Sequence, residues 1–227
     1  MFKAVIFDLD NTLIDFVRIK TKSVEASVDA MIRAGLKLER QKALEIIYRI
    51  YDKHGLEYQE IFQAFLKEVR EEDYRILVEA ISSYRKTKYL ETKTYPNVLP
   101  TLIELKRRGL KIGVVSDAPK LQAWIRLADL NLTKIFDFII TAEDVGEKKP
   151  NPKPYKKALE ILKIEPADIL FVGDNPARDL TGARNIGMKT CFARYGFVEH
   201  LTPDYNPEMI IKADFEINNI SELLEIV

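Results

Sequence analysis

Aspartates and one serine follow apolar runs at three separate places in the sequence, and a lysine stands before a helical stretch at a fourth. Lys3 to Phe7 reads KAVIF and is followed by Asp8-Leu9-Asp10-Asn11-Thr12. Leu110 to Val115 reads LKIGVV and is followed by Ser116-Asp117. Lys148-Lys149-Pro150 precedes a helical stretch that begins near Pro154. Ile169 to Val172 reads ILFV and is followed by Gly173-Asp174-Asn175-Pro176-Ala177-Arg178-Asp179. Asp8 and Asp10 are two residues apart, so near a strand end both can face one side while Leu9 faces the other. Four carboxylates (Asp8, Asp10, Asp174, Asp179) and one ammonium on Lys149 would leave a cluster that repels itself. A divalent cation, or protonation of some of the carboxylates, relieves that repulsion, and hard oxygen donors suit Mg²⁺ together with substrate phosphate. The cation turns the cluster into a receptor for an anion. Ser116, the amides after it and Lys149 could then hold phosphoryl oxygens.

The elements that must position these residues are a parallel sheet and its covering helices. Short apolar strands are expected at residues 3–7, 110–115, 138–141, 169–172 and 188–193, with a last short one at 215–217. Helices are expected near 96–108, 121–130, 154–162, 177–186 and 221–227. Apolar strands alternating with helices imply a sheet buried on both faces. In such sheets ligands bind at the carboxyl ends of the strands. Residues from about Ile14 to Tyr89 are different: apolar positions recur at helical spacing, as in Val24, Val28, Met31 and Ile32. Gly35, Gly55 and Glu71-Glu72-Asp73 divide this stretch into about four helices.

This set of motifs resembles the haloacid-dehalogenase-like hydrolase superfamily. The resemblance rests on DLDNT at Asp8 to Thr12, Ser116, Lys149-Pro150 and GDNPARD at Gly173 to Asp179, in that chain order. It covers essentially the whole chain, and the helical insertion resembles the type 1 cap. The resemblance implies an α/β fold, with a Rossmann-like parallel sheet core over residues 1–14 and 95–227 and an all-helical cap over 15–94. It implies that Asp8 is a nucleophile forming an aspartyl-phosphate. Asp10 would be the acid and base for the leaving group and the water. Lys149 would offset charge between nucleophile and phosphate. Thr12, Ser116, Asp117 and Lys149 would contact the phosphoryl group. Asp8, Asp174, Asp179 and the backbone carbonyl of Asp10 would form the Mg²⁺ site, with Asp179 supporting either the metal or Lys149. Lys149 is preferred to Lys148 because the lysine of this superfamily directly precedes proline. Asp117 stands where many members have asparagine. The cap is expected to open and close during turnover.

The implied activity is Mg²⁺-dependent hydrolysis of a small phosphomonoester, a small phosphorylated metabolite being the expected partner. Dehalogenases of the superfamily generally lack the acid/base aspartate, so Asp10 favours phosphate chemistry. A phosphomutase, a 2-haloacid dehalogenase and a non-enzymatic binding scaffold remain as alternatives. Within the superfamily the chain is most similar to archaeal members with the type 1 cap, some of them glyceraldehyde 3-phosphate phosphatases.

Composition agrees with an enzyme of this kind. The chain has 227 residues, 47% hydrophobic and 31% charged, which excludes a disordered or collagen-like polymer. Lys plus Arg and Asp plus Glu are each 35. A zero net charge argues against a binder driven by nucleic-acid phosphates. No apolar run approaches the length of a transmembrane helix. The strand-like run at Lys3 leaves no room for a signal peptide, and with the single cysteine, Cys191, a cytoplasmic location is expected. Abundant Lys and Glu with scarce Gln and Cys lean toward a thermophile. Cys191 is read as inert core and Trp124 as helix packing. His54 and His200 sit in loop-like contexts without metal-ligand spacing. Arg18, Lys20 and Lys22 are read as a solvated helix face rather than an anion contact.

Overall fold

A computed structural model describes residues 1–199 and 212–227. His200 therefore lies outside the described residues. In chain order the elements are β1 (Ala4–Phe7), α1 (Phe16–Arg33), α2 (Arg40–His54), α3 (Ile61–Glu68), α4 (Tyr74–Glu91), α5 (Val98–Arg107) and β2 (Lys111–Ser116). There follow α6 (Lys120–Asp129), β3 (Phe138–Thr141), α7 (Ala142–Val145), α8 (Pro152–Leu162), β4 (Ile169–Gly173), α9 (Thr181–Asn185), β5 (Lys189–Ala193), β6 (Phe215–Ile217) and α10 (Leu223–Ile226).

The six strands form one parallel sheet in the order β3-β2-β1-β4-β5-β6. All four residues of β1 and all five of β4 are buried, as a sheet covered on both faces requires. β1 and β4 are in register, Phe7 opposite Val172, so both chains leave the sheet at the same edge. Asp8 follows directly, its N–H donating to the Val172 carbonyl at 2.9 Å. On the other side Phe7 is opposite Val114, which brings Ser116 to the same edge two residues later. Gly113 in β2 leaves space for the Phe138 ring; a Cβ there would lie 2.1 Å from it. One face of the sheet packs Ile6, Phe171 and Ile140 against Tyr155 and Ala158 of α8. Asn151 caps α8 through its side chain, with Pro152 in the first turn where its missing N–H costs nothing.

The chain divides into two compact units, Met1–Asp15 with Lys93–Val227, and Phe16–Thr92. The second unit is wholly helical, α1 to α4. Val24, Val28 and Met31 of α1 pack with Ile47 and Tyr51 of α2, Phe62 and Phe65 of α3, and Ile76 and Ala80 of α4. Side chains of Glu39 and Asp73 cap the starts of α2 and α4.

Three local expectations are corrected. The helix expected near 177–186 is instead a π-type turn, Pro176–Leu180, leading into α9. The Tyr155 hydroxyl donates to the carbonyls of Arg178 and Asp179 at 3.0 and 3.1 Å, and competes with helical hydrogen bonding there. Lys20 is not on a solvated face: it is buried, its amine donating to the Tyr84 hydroxyl at 2.8 Å and 4.6 Å from the Tyr51 ring centre. Arg18 and Lys22 are exposed and pair with Glu91 and Glu25. Trp124 is 40% exposed, because α6 turns Ala123, Arg126 and Leu127 inward and leaves Leu121, Trp124 and Ile125 outside.

Candidate active site

The carboxyl ends of β1, β2 and β4 bring Asp8, Ser116 and Asp174 together, all buried. Asp179 reaches the same place from the π-type turn. It does so because Gly173 has no side chain: a Cβ there would lie 2.6 Å from the Asp179 side chain. Carboxylate oxygens of Asp8, Asp174 and Asp179 lie within 4.8 Å of one another. Three buried carboxylates so close are costly unless cations stand among them.

Lys149 is one such cation. Its amine is hydrogen-bonded to Asp8 Oδ1 and lies 2.8 Å from Asp179 Oδ1 and 2.9 Å from the Val115 carbonyl. Its backbone N–H donates to Asp117 Oδ1 at 2.9 Å. Lys148 beside it is exposed. Burial works against the lysine charge, but Asp179, Asp8 and Asp117 outweigh it and hold the amine above its ordinary pKa.

Arg178 is the second cation, and sequence reasoning did not assign it a role. Its guanidinium lies 3.3 Å from Asp117, 3.4 Å from Asp179, 3.7 Å from Asp8 and 4.0 Å from Asp174. The residue sits inside the GDNPARD motif, so its place beside Asp179 was the available signal. Four carboxylates face these two cations.

The carboxylates divide by environment. Burial pushes the Asp8 carboxyl up, Lys149 pulls it back and Asp179 raises it again, leaving it at about 6. Asp174 is held well above the usual range, first by burial and then by Asp8 and Asp179. Asp179 goes the other way: against burial, Lys149 and Arg178 hold it below the usual range. Asp179 Oδ2 also accepts from the Asn175 N–H at 3.1 Å.

The remaining residues expected at the site surround this group. Thr12 is fully buried, and its hydroxyl donates to Asp174 Oδ1 at 3.3 Å and accepts from the Asp174 N–H at 3.1 Å. The Tyr195 hydroxyl donates to the Thr12 carbonyl at 2.7 Å. Ser116 Oγ accepts from the Ala118 N–H at 3.1 Å, closing the turn after β2. The Asp10 carboxylate is outside the three-carboxylate group and accepts from Arg126 Nη1 at 2.7 Å. Cys191 is a free thiol buried in β5, its pKa pushed up by burial. His54 closes α2 rather than lying in a loop, exposed and stacked on Tyr58.

The three-carboxylate group fits Mg²⁺ on its own chemistry. Its donors are hard oxygens, and Asp8 Oδ2 is buried without a hydrogen bond, an atom that a cation would satisfy.

Fold and site together define an enzyme of the hydrolase class. The chain belongs to the haloacid dehalogenase-like hydrolases, whose family model matches residues 5–193. A glyceraldehyde 3-phosphate phosphatase of Methanocaldococcus jannaschii is 32% identical over 231 residues, covering all of this chain and 97% of that one. A phosphoglycolate phosphatase of Aquifex aeolicus is 32% identical over 238 residues, covering 99% and 96%. Among solved structures, a phosphatase of this family from Thermococcus onnurineus superposes with a TM-score of 0.69 at 26% identity, covering 99% and 97%. The magnesium-bound hydrolase YfnB of Bacillus subtilis shares the fold, with a TM-score of 0.68 at 22% identity, covering 99% and 98%. Among the described residues no helix is long and apolar enough to cross a membrane.

Proposed function

We propose that the chain hydrolyses a small phosphomonoester through an aspartyl-phosphate on Asp8, with Mg²⁺ held by Asp8, Asp174, Asp179 and the Asp10 carbonyl. The meeting of Asp8, Asp174 and Asp179 with Lys149 in one buried group carries this reading. An Asp8 oxygen attacks phosphorus while the bond from phosphorus to the ester oxygen breaks. Asp10 gives its proton to that leaving oxygen. Asp10 then takes a proton from water, whose oxygen attacks phosphorus and breaks the bond to Asp8, releasing inorganic phosphate. Bound Mg²⁺ would supply charge neutralisation for the phosphoryl oxygens. Lys149 keeps Asp8 oriented and offsets the repulsion between carboxylate and phosphate. The amides after Ser116 offer donors to the phosphoryl group. Thr12 and Asp117 support the site through Asp174 and Lys149, whose hydrogen bonds they share. Residues 15–94 serve as the cap of a core formed by 1–14 and 95–227.

Glyceraldehyde 3-phosphate is the first substrate to test, because relatives that match over nearly their whole length carry that activity in their names. Phosphoglycolate is the second. The single buried cysteine supports a reducing cytoplasm. Exposed ion pairs, such as Glu104 with Arg107 and Arg108, support a thermophilic host. The test is phosphate release from a panel of phosphomonoesters, with and without Mg²⁺, for wild type and Asp8→Asn. Metal-dependent release that is lost in the variant is expected. Interconversion of sugar phosphates without free phosphate, or no turnover at all, would sink the proposal.

A further inference from the structure

Arg126 is 2% exposed, in the last turn of α6. It shares its inward face with Ala123 and Leu127, both fully buried, so a guanidinium sits where an aliphatic side chain would pack. Taking such a charge out of water is expensive unless it is met by an opposite charge with good geometry. Asp10 meets it: Arg126 Nη1 lies 2.7 Å from Asp10 Oδ2, across 116 residues of sequence. A buried ion pair of this kind is weak evidence for stability, since a well-packed apolar pair often does as well. Its distinct property is geometric. A guanidinium that is itself held by burial fixes the position of the carboxylate oxygen that it bonds.

Asp10 belongs to the turn that leaves β1, two residues beyond Asp8. Its side chain is 21% exposed, so packing encloses it less than Asp8 or Asp179. A proton donor must meet the leaving oxygen within hydrogen-bond reach, and a displacement of about 1 Å costs on the order of 10²-fold in rate. We infer that Arg126 is a positioning residue for the acid/base Asp10, acting from α6 on the motif that follows β1. The inference rests on the acid/base reading of Asp10 given above. Arg126 itself exchanges no proton and touches no substrate. It holds Oδ2, and so orients the carboxyl group that gives a proton to the leaving oxygen and later accepts one from water.

Leaving-group dependence separates this role from a structural one. A p-nitrophenolate leaves without a proton, whereas an alkoxide needs one. The experiment compares wild type, Arg126→Met and Asp10→Asn on p-nitrophenyl phosphate and on the better alkyl substrate of glyceraldehyde 3-phosphate and phosphoglycolate. Arg126→Met is expected to lower kcat/KM on the alkyl ester about 10²-fold and on the aryl ester less than about fivefold. On the aryl ester it should also release a burst of p-nitrophenol equal to the enzyme, because the second step still needs a base. Asp10→Asn should show the same pattern more strongly. Equal losses on both esters with no burst in Arg126→Met, while Asp10→Asn keeps the asymmetry, overturn the inference and leave the acid/base reading intact. Absence of asymmetry in Asp10→Asn removes that reading and the inference with it. If Arg126→Met does not fold, Arg126→Lys carries the comparison. A lysine keeps the charge but is shorter and lacks the rigid fork, so a smaller asymmetry of the same sign is expected, and none overturns the inference.

Discussion

Lys149 and Asp179 form an ion pair of 2.8 Å in which both side chains are fully buried. The pair joins the segment before α8 to the turn after β4, and Asp8 shares the same amine. Folding therefore brings three distant stretches together at the Lys149 amine.

Removing Lys149 should accordingly unbalance the whole cluster. Lys149→Ala leaves Asp8 and Asp179 with only the more distant Arg178 as a shared cation. In metal-free protein a loss of about 3–5 kcal/mol is expected, as for other buried pairs deprived of one partner. Urea unfolding followed by circular dichroism reads it as a lower midpoint at unchanged slope. A midpoint equal to wild type would show that the pair contributes nothing to the fold.

The pH dependence of metal-free stability should be inverted over part of its range. Asp8 has its folded pKa raised to about 6 and Asp174 well above the ordinary value. Such groups keep their proton in the folded state after the unfolded chain has released it. Stability is then fully present below about pH 4 and falls as pH rises through about 6. Asp137 and Asp214 act oppositely: against partial burial, Lys106 and Lys189 hold their carboxyls low. Their contribution is lost only as pH falls below about 4. Melting temperatures in EDTA should therefore decline between pH 4.5 and about 7, and Mg²⁺ should restore them at neutral pH. Asp174→Asn should raise the metal-free melting temperature at pH 7 and remove the response to Mg²⁺. A rise of stability across that interval in EDTA would contradict the assignment.

Two glycines of the sheet should separate site from scaffold. Gly173→Ala drives a methyl to within 2.6 Å of Asp179, and Gly113→Ala drives one to 2.1 Å of the Phe138 ring. Overpacking of this kind costs about 1–3 kcal/mol. Both variants should melt earlier than wild type. Only Gly173→Ala should also weaken Mg²⁺ binding in titration calorimetry, because Asp179 must move. Equal Mg²⁺ affinity in the two variants would place Asp179 outside the metal's influence.

Thr12 should affect the metal more than the substrate. Its hydroxyl makes two hydrogen bonds to Asp174 and so sets the direction of that carboxylate. Thr12→Val keeps the shape and deletes both. Outer-shell losses of this type cost about 10–100-fold in metal affinity. The expected result is a raised Mg²⁺ requirement with KM for the phosphoester nearly unchanged at saturating metal. A raised KM with unchanged Mg²⁺ dependence would return Thr12 to direct substrate contact.

The sequence by itself determined the parallel sheet, the helical insertion and the family. Apolar runs such as AVIF and ILFV can be satisfied only by burial on both faces, and motifs that follow them must emerge at one sheet edge. Asp8, Ser116, Lys149, Asp174 and Asp179 were legible for that reason: each lies within a few residues of a strand end or helix start. Arg126 was not, because it lies in the last turn of a helix, and its periodicity is that of any inward position. Lys20 was misread likewise, since an amine among aromatic rings has the same helical spacing as one in water. Arg178 was visible in its motif, but its approach to four carboxylates needed the π-type turn. Only the tertiary structure decided which carboxylates share a cation and which have their pKa raised or lowered, because burial and distance set those energies and neither is written in residue order.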